Sequence, residues 1–162
     1  MVVKFDGNAV TQRNRGLVSK GYGTTGSQFW WRIEAGDWSR FYMVDENGTA
    51  KTLAGNLGNG ITTNVYDGQW HHLAIVRDTE NHRIKFYLDK ILVMDQTDPL
   101  AGGIFNNSLL YLGTLAGGTD LLGSFDTIRI SDEALTATQF IPEPATVLLL
   151  LGGGMIVSRF KH

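Results

Sequence analysis

Short apolar runs with a strict two-residue period dominate this chain and constrain its fold more than any other feature. In the segment 83–88 the side chains of Ile84, Phe86 and Leu88 alternate with polar ones. Successive side chains of a strand point to opposite faces, so this pattern predicts a strand with one buried face. About nine such runs recur at spacings near 8–12 residues, which is typical of a sandwich or barrel. Within this body no segment of helical length shows a 3.6-residue period, so the sequence predicts an all-β domain.

Turn residues separate the predicted strands. Glycine accounts for 20 of the 162 residues and shows no collagen-like period. Asn47-Gly48 lies between two strand-like runs and favours a type I′ hairpin turn, because both residue types tolerate a positive φ. Asp89-Lys90 is predicted to form a second tight turn. One short helix is predicted at residues 136–140, where a threonine and a glutamine have the spacing of a capping box.

Charge and cysteine content exclude several classes of protein. The net charge is −2 and no basic face is visible, so we expect no nucleic-acid partner. The chain has no cysteine, which rules out disulfide scaffolds and thiolate metal sites. A hydrophobic content of 43% in 162 residues is sufficient for one domain with a sizeable core.

No arrangement of residues points to catalysis. A glycosidase needs two carboxylic acids about 5–9.5 Å apart, and the pair Asp78 and Glu80 falls in a predicted turn, where acids are usually solvated. His71 and His72 are adjacent in a predicted strand, so their rings point to opposite faces and a structural role is favoured over a shared metal ion. Nucleophile-elbow, Walker and dinucleotide motifs are missing from the sequence. We therefore predict a protein that is not an enzyme.

Aromatic side chains are concentrated between residues 29 and 42. They are Phe29, Trp30, Trp31, Trp38, Phe41 and Tyr42. Strand alternation leaves two arrangements, with either Trp30 and Tyr42 or Trp31 and Phe41 facing outward. An outward aromatic ring can stack on a sugar or on apolar protein surface. Trp30, Tyr42 and Trp38 are the candidate ligand-facing aromatics, and coverage of both faces by loops is the alternative.

Trp70 begins the predicted strand that continues through the two histidines. An indole ring buries on the order of 200 Å² when it lies in a core. We expect Trp70 to be a core anchor and not a ligand contact.

A calcium site is a further candidate. Calcium is bound by carboxylate and carbonyl oxygens. Asp126 lies in the predicted last strand, residues 125–130, and Asp6-Gly7 ends the first strand. If these two strands are neighbours, Asp126, Asp6 and a carbonyl near Gly7 are expected to share a structural Ca²⁺. The alternative is that Asp126 caps a turn.

The C-terminal end is an uncharged apolar run. Residues 145–157 include four consecutive leucines, and Arg159 and Lys161 follow them. A bilayer span takes about 20 residues, and the apolar stems of these cations extend the run toward that length. Terminal cations predict a cytoplasmic C-terminus and a body outside the membrane. A buried C-terminal strand or helix is the alternative.

The body resembles the laminin-G-like, concanavalin A-type jelly-roll domain. The resemblance rests on residues 70–78 (WHHLAIVRD), 86–90 (FYLDK), 125–130 (FDTIRI) and 133–136 (EALT). It implies an antiparallel sandwich of two sheets that is mostly non-catalytic and binds glycans or proteins, often with Ca²⁺. Two departures from the family pattern are Asp89-Lys90 in place of Asp-Gly and the lack of a visible strand between Gly7 and Gly16.

The end of the chain is similar to the PEP-CTERM sorting signal of Gram-negative bacteria. Pro142, Glu143 and Pro144 form an extended linker before the apolar run and its basic residues. The resemblance implies export, transient anchoring in the inner membrane, recognition by the peptidase exosortase, and release to the cell surface or an extracellular matrix. Such proteins carry an N-terminal signal peptide. None is visible here, so we expect a fragment or a misassigned Met1.

These observations predict three parts: a jelly-roll domain at 1–140, a linker at 141–144 and a transmembrane sorting tail at 145–162. The predicted function is an exported, surface-delivered, non-catalytic binding or adhesion module that contacts glycans or proteins of the extracellular matrix. A purely structural matrix protein is one alternative. A polysaccharide hydrolase or lyase of the same fold is another.

Overall fold

The computed structural model describes residues 1–6, 15–23, 26–34, 38–56, 65–115 and 120–140. These residues form ten strands and one 3₁₀ helix. In chain order they are β1 (Val2–Phe5), β2 (Arg15–Lys20), β3 (Gln28–Glu34), β4 (Trp38–Val44), β5 (Ala50–Asn56), β6 (Trp70–Asp78), β7 (Arg83–Leu88), β8 (Ile91–Thr97), β9 (Leu110–Leu112), β10 (Gly123–Phe125) and the 3₁₀ helix Ala137–Gln139.

The strands form two five-stranded sheets in which every described pairing is antiparallel. Sheet 1 has the order β10-β1-β6-β7-β8, and sheet 2 has the order β5-β4-β3-β2-β9. This confirms the prediction of an all-β, two-sheet antiparallel sandwich. The predicted C-terminal helix lies outside the described residues. Among the residues that the structure describes, no helix has the length and apolarity that crossing a bilayer requires.

The core lies between the two sheets and follows the predicted alternation. In β7 the side chains of Ile84, Phe86 and Leu88 are completely buried. In β3 the indole of Trp31 points inward and meets Phe86 edge-on, with ring centroids 5.5 Å apart. Its indole nitrogen donates to the hydroxyl of Ser39 at 2.8 Å, which satisfies the polar atom of a buried ring.

The hairpin between β4 and β5 forms where Asn47-Gly48 predicts it, but the turn type differs. Only Gly48 has a positive φ, of 81°, and its amide donates to the carbonyl oxygen of Asp45 at 3.0 Å. The carboxylate of Asp45 accepts the amides of Asn47 and Thr49 at 3.0 and 2.8 Å. This carboxylate stabilises a longer loop, so the predicted type I′ turn is wrong.

The turn at Asp89-Lys90 is confirmed as a tight turn. Both residues have a positive φ, 49° and 69°. Positive φ values at both central positions are the signature of a type I′ turn, which usually selects glycine at the second position. The carboxylate of Asp89 accepts the amide of His72 at 2.8 Å, which ties this turn to β6.

The last strand is shorter than predicted and ends earlier. The prediction covered residues 125–130, whereas β10 covers Gly123–Phe125. Its partner β1 begins at Val2, and the backbone bond nearest that end runs from the amide of Val2 to the carbonyl oxygen of Thr127. Among the described residues, 128–130 have no strand partner, and Ile130 is 69% exposed.

The predicted short helix near residue 136 is present as the 3₁₀ helix Ala137–Gln139. The backbone amide of Thr136 donates to Oε1 of Gln139 at 2.9 Å, as a capping box requires. Phe140 follows the helix and packs on the outer face of sheet 1, with its ring centroid 5.3 Å from that of His72 and 4.9 Å from that of Tyr87.

Trp70 is exposed, so the predicted core anchor is wrong. Its side chain is 48% exposed, and the ammonium of Lys4 lies 5.3 Å from the ring centroid. Trp70 pairs with Lys4 across β1 and β6, while the inward positions of β1 are filled by Val3 and Phe5. The register therefore places the indole on the outer face of sheet 1.

Met1 marks the end of the contact between β1 and β6. Its ammonium donates to the carbonyl oxygen of Leu73 at 2.8 Å, and the amide of Leu73 donates back at 2.9 Å. Burial lowers the pKa of this ammonium. Within the described residues, β6 from Ala74 to Asp78 has a strand only on its β7 side.

Candidate functional site

The outer face of sheet 2 carries the largest set of candidate ligand-contacting side chains. Trp31 and Phe41 point inward, so their neighbours in β3 and β4 point outward. Three cross-strand pairs cover this face, and we call their six residues the aromatic–arginine face. The pairs are Trp30 with Tyr42, Arg32 with Arg40, and Glu34 with Trp38.

Trp30 is the centre of a stacked cluster. Its ring lies 5.2 Å from that of Tyr42, with 26° between the planes, and the guanidinium of Arg32 lies 4.8 Å from the indole centroid. Tyr22 meets the same indole edge-on at 5.8 Å. A phenol and a guanidinium thus cover the ring planes of Trp30. The half-buried indole therefore acts more as a support for its neighbours than as an open stacking surface.

Trp38 and Tyr42 are the aromatic residues that β4 contributes to this face. Trp38 is 43% exposed, and the neighbour of Tyr42 on β5 is the small, exposed Thr52. Trp38, Arg40 and Tyr42 occupy alternate positions of β4, so they form one row on the same face. At about 3.3 Å per residue the row is roughly 13 Å long. We call these three residues the β4 row.

One carboxylate serves both arginines of the face. Oε1 of Glu34 accepts Nε and Nη2 of Arg32 at 2.8 and 2.6 Å, and Nε of Arg40 lies 3.0 Å from the same oxygen. Two positive charges and one negative charge leave a local charge of +1. The side chain of Arg40 is 39% exposed, compared with 16% for Arg32.

The adjacent histidines have structural contacts. Nδ1 of His71 lies 2.8 Å from Oδ2 of Asp89, and Nε2 lies 3.0 Å from Oδ1 of Asp67. Burial lowers the pKa of His71, but the hydrogen bonds and charges of the two carboxylates outweigh it and raise this pKa above its ordinary value. His72 points to the other face of β6, and burial, aided by the positive N-terminus, lowers its pKa to about 4.

The structure does not bring the predicted calcium ligands together. β1 and β10 are neighbours, as the prediction required, but Asp126 lies beside Val2 whereas the amide of Asp6 bonds to Leu122. The two carboxylates are therefore separated by four residues of β1, roughly 13 Å, which is too far for one ion. Gly7 lies outside the described residues. In the part of the chain that the structure describes, no three acidic or histidine side chains cluster as metal ligands would.

A scan against protein-family models matches most of the chain. A family model described as Laminin_G_3, concanavalin A-like lectin/glucanases superfamily, matches residues 3–140. The chain belongs to the concanavalin A-like lectin/glucanase superfamily. No curated protein matches this superfamily member at a significant level.

Solved structures agree with the superfamily fold. The receptor binding domain of botulinum neurotoxin D is 14% identical and covers 67% of this chain, with a TM-score of 0.51. A second structure, the botulinum neurotoxin serotype D binding domain, gives the same identity, coverage of this chain and TM-score. The concanavalin A-like domain spans about a quarter of these chains, 26% and 25%. Likeness at this level establishes the fold.

Two acidic residues of the superfamily domain, Asp78 and Asp98, are held in ion pairs. Oδ2 of Asp98 accepts Nε of Arg77 at 2.6 Å, and the same guanidinium donates to the carbonyl oxygens of Gly102 and Leu100. Asp78 accepts the amide and side chain of Asn81 and lies 3.4 Å from the ammonium of Lys85. Glu80 is exposed in the turn that follows, as expected for a solvated acid.

A cavity of about 310 Å³ lies where β6 faces residues 128–135. Its lining is mostly apolar and includes Ile75, Ile128 and Leu135. Nδ1 of His72 is buried near it and has no hydrogen-bond partner. The lining also includes four charged side chains, Arg77, Arg129, Asp132 and Glu133.

Sequence reasoning found the aromatic residues of the candidate site but missed its charges. Trp30, Tyr42 and Trp38 lie on one face, as predicted for ligand-facing aromatics, whereas Arg32, Arg40 and Glu34 were not singled out. The two-residue spacing of Arg32 from Trp30, and of Arg40 from Tyr42, was the signal that could have identified them. The sorting motif, Pro142, Glu143 and Pro144, lies outside the described residues.

Proposed function

We propose that this concanavalin A-like domain is a non-catalytic binding or adhesion module that contacts extracellular glycans or proteins through the aromatic–arginine face. The observation that carries this proposal is the β4 row, in which Arg40 lies between two partly exposed aromatic side chains. Aromatic rings supply contact area at a low entropic cost, and arginine adds directional hydrogen bonds. Such a row is unusual for a face that only needs to be soluble.

Two further findings support a binding role. The matched family is named for lectins as well as glucanases, and the similar solved structures are named as binding domains. Asp78 and Asp98 are neutralised by cationic partners, which disfavours the paired acid and base that a glycosidase requires. The proposal therefore excludes catalysis by this domain.

The delivery route belongs to the same proposal and rests on the sequence. Residues 142–161 resemble a sorting signal, so the protein is exported and anchored in the inner membrane of a bacterium by its tail. Exosortase then cleaves near Pro142-Glu143-Pro144 and releases the domain to the cell surface or matrix. Structural calcium is a further part of this proposal and is limited to Asp126.

A structural matrix role is the second candidate, and the sheet edges favour it. Ile91 and Leu92 on edge strand β8 are 54% and 47% exposed, and Leu110 and Leu112 on edge strand β9 are 41% and 47% exposed. Exposed apolar edge strands are templates for association between chains. Sedimentation velocity across a concentration series distinguishes the candidates, because a structural protein self-associates without any ligand.

Binding to a glycan and matrix-protein array tests the leading proposal. The full chain, kept in detergent because of its apolar tail, is compared with Trp38→Ala and Tyr42→Ala. Trp70→Ala is the matched control, because Trp70 is similarly exposed but lies on sheet 1. We expect each β4 variant to weaken binding about tenfold or more and the control to bind normally. Equal binding by all four proteins, or no binding by the wild type, would overturn the proposal.

A further inference from the structure

We infer that the aromatic–arginine face selects polysaccharides that carry carboxylate groups, with Arg40 as the residue that binds the carboxylate. The inference deepens the proposed function and rests on it, because it names the ligand class of the same surface. The observation behind it is an imbalance of charge, because the guanidinium groups of Arg32 and Arg40 both lie at one carboxylate oxygen of Glu34.

Arg32 and Glu34 form a close, doubly hydrogen-bonded ion pair. Two of its nitrogens donate to Oε1 of Glu34, at 2.8 and 2.6 Å, and its guanidinium also lies over the indole of Trp30. Both side chains are largely buried, with 16% and 18% exposed. This pair is a fixed part of the surface, and both of its hydrogen bonds use the same carboxylate oxygen, Oε1 of Glu34.

Arg40 is close to the carboxylate of Glu34 but makes no hydrogen bond with it. Its Nε is 3.0 Å from Oε1 of Glu34, yet the geometry does not make a hydrogen bond, and Nε is left without a partner. For its terminal nitrogens, the described residues supply no hydrogen-bond acceptor. A planar guanidinium that presents two parallel donors matches a carboxylate in a bidentate manner. A carboxylate on a ligand would supply the hydrogen-bond acceptors that the described residues do not.

The neighbours of Arg40 indicate which kind of molecule the bound carboxylate belongs to. Trp38 and Tyr42 lie two positions away on either side, about 6.6 Å along β4. A sugar ring that lies against either aromatic side chain places a substituent within reach of the guanidinium. A uronic acid has this combination of an apolar ring face and a carboxylate.

The attraction is local, because the chain as a whole has a net charge of −2. A protein that bound acids only through its overall charge would need to be basic. Preference for acidic polysaccharides would therefore depend on Arg40 specifically and would weaken with added salt.

The experiment compares each acidic polysaccharide with a neutral form of the same chain. Polygalacturonate and its methyl ester, hyaluronan and its carboxyl-reduced form, and alginate and its propylene glycol ester are immobilised, and the full chain in detergent is passed over them. We expect the wild type to bind at least one acidic member about tenfold more tightly than its neutral partner, as for one charge-assisted hydrogen-bonded pair.

Three variants make the test specific. Arg40→Gln should remove the preference for the acid while binding of the neutral form is retained. Arg83→Gln is the matched control, because Arg83 makes an equivalent surface pair with Asp95 on sheet 1 and is 36% exposed. Glu34→Gln removes the competing carboxylate and should strengthen the preference, which a loss of folding cannot mimic.

The outcomes separate the inference from the proposed function. Equal binding of acidic and neutral members by the wild type would overturn the inference and leave the proposed function intact. A preference that Arg83→Gln reduces as much as Arg40→Gln would also overturn it, because overall charge would then explain the selectivity. Failure to bind any member of any pair, together with a negative array, would overturn the proposed function itself.

Discussion

His71 and His72 are consecutive residues of β6, yet one imidazole is held between two carboxylates and the other is packed against a phenyl ring. His71 contacts Asp67 and Asp89 at 3.0 and 2.8 Å. His72 stacks on Phe140 with centroids 5.3 Å apart. Because adjacent strand residues face opposite ways, the pair experiences opposite electrostatic environments. Its two pKa values therefore move in opposite directions from 6.5.

The first prediction concerns stability above pH 6.5. His71 has a raised pKa in the folded state, so its contribution is complete below the unfolded value of 6.5 and is lost as the pH rises through the folded value. We expect the thermal midpoint of the wild type to fall in this alkaline range. His71→Gln should have a lower midpoint and should show a smaller dependence on pH there. Parallel curves for the two proteins above pH 6.5 would contradict the assignment.

The second prediction concerns the stability of the protein below pH 6.5. His72 is buried in its neutral form, with a pKa of about 4, so its contribution is present above pH 6.5 and is lost as the pH falls toward 4. His72→Phe keeps an aromatic ring against Phe140 and should be less sensitive to pH between 6.5 and 4. Asp67 and Asp78 have pKa values lowered by hydrogen bonds, so their contributions are lost only below about 4. Denaturant titrations at pH 6.5, 5.5 and 4.5 measure the difference, and equal slopes would exclude His72.

The third prediction compares two tryptophans. Trp31 is 3% exposed and contacts Phe86, so Trp31→Ala should lower the free energy of unfolding by about 3–5 kcal/mol. Trp70 is 48% exposed, so Trp70→Ala should lower it by less than about 1 kcal/mol. Urea unfolding of both variants measures these values. Comparable losses would mean that Trp70 is a core residue after all.

The fourth prediction concerns calcium. Asp126 is exposed, and Oδ2 accepts the hydroxyl of Thr127 at 3.2 Å. If Ca²⁺ binds the folded protein there, removing it with EDTA lowers the thermal midpoint of the wild type and leaves that of Asp126→Ala unchanged. Unfolding scans with EDTA and with added CaCl₂ provide the measurement. An identical response of both proteins would leave Asp126 as an ordinary turn residue.

The fifth prediction concerns the tail. When the protein is expressed with a signal peptide and its native sorting enzyme, we expect the mature product to lack residues 148–151 by mass spectrometry. Without the enzyme it should remain in the membrane fraction, because residues 145–157 are uncharged and apolar. A full-length product with an intact tail that is soluble without detergent would contradict this prediction.

Local periodicity was sufficient to predict most of the strands. The pattern in β7 identified three residues that are fully buried, whereas alternation in β3 and β4 left open whether Trp30 and Tyr42 or Trp31 and Phe41 face outward. Turn positions were also predictable, since Asp89-Lys90 and Asn47-Gly48 both connect neighbouring strands. These features depend on residues that are close in sequence.

Features that depend on distant residues were not predictable. The turn at Asn47 is set by the carboxylate of Asp45, whose other oxygen accepts the amide of Gly102, 57 residues away. The pairing of β10 with β1 covers only Gly123–Phe125, and Trp70 is exposed because Val3 and Phe5 fill the inner side of the sheet. Each outcome depends on contacts between segments that are far apart in the sequence.

The pairing of Met1 with Leu73 has a practical consequence for any fusion at the N-terminus. One added residue converts the half-buried ammonium into an amide, which can keep the bond to Leu73 and removes the cost of burying a charge. Further residues would be directed along β6 beyond Ala74, where the described residues of β6 have a strand only on the β7 side. We therefore expect an N-terminal affinity tag to change the stability of the protein at this end of sheet 1.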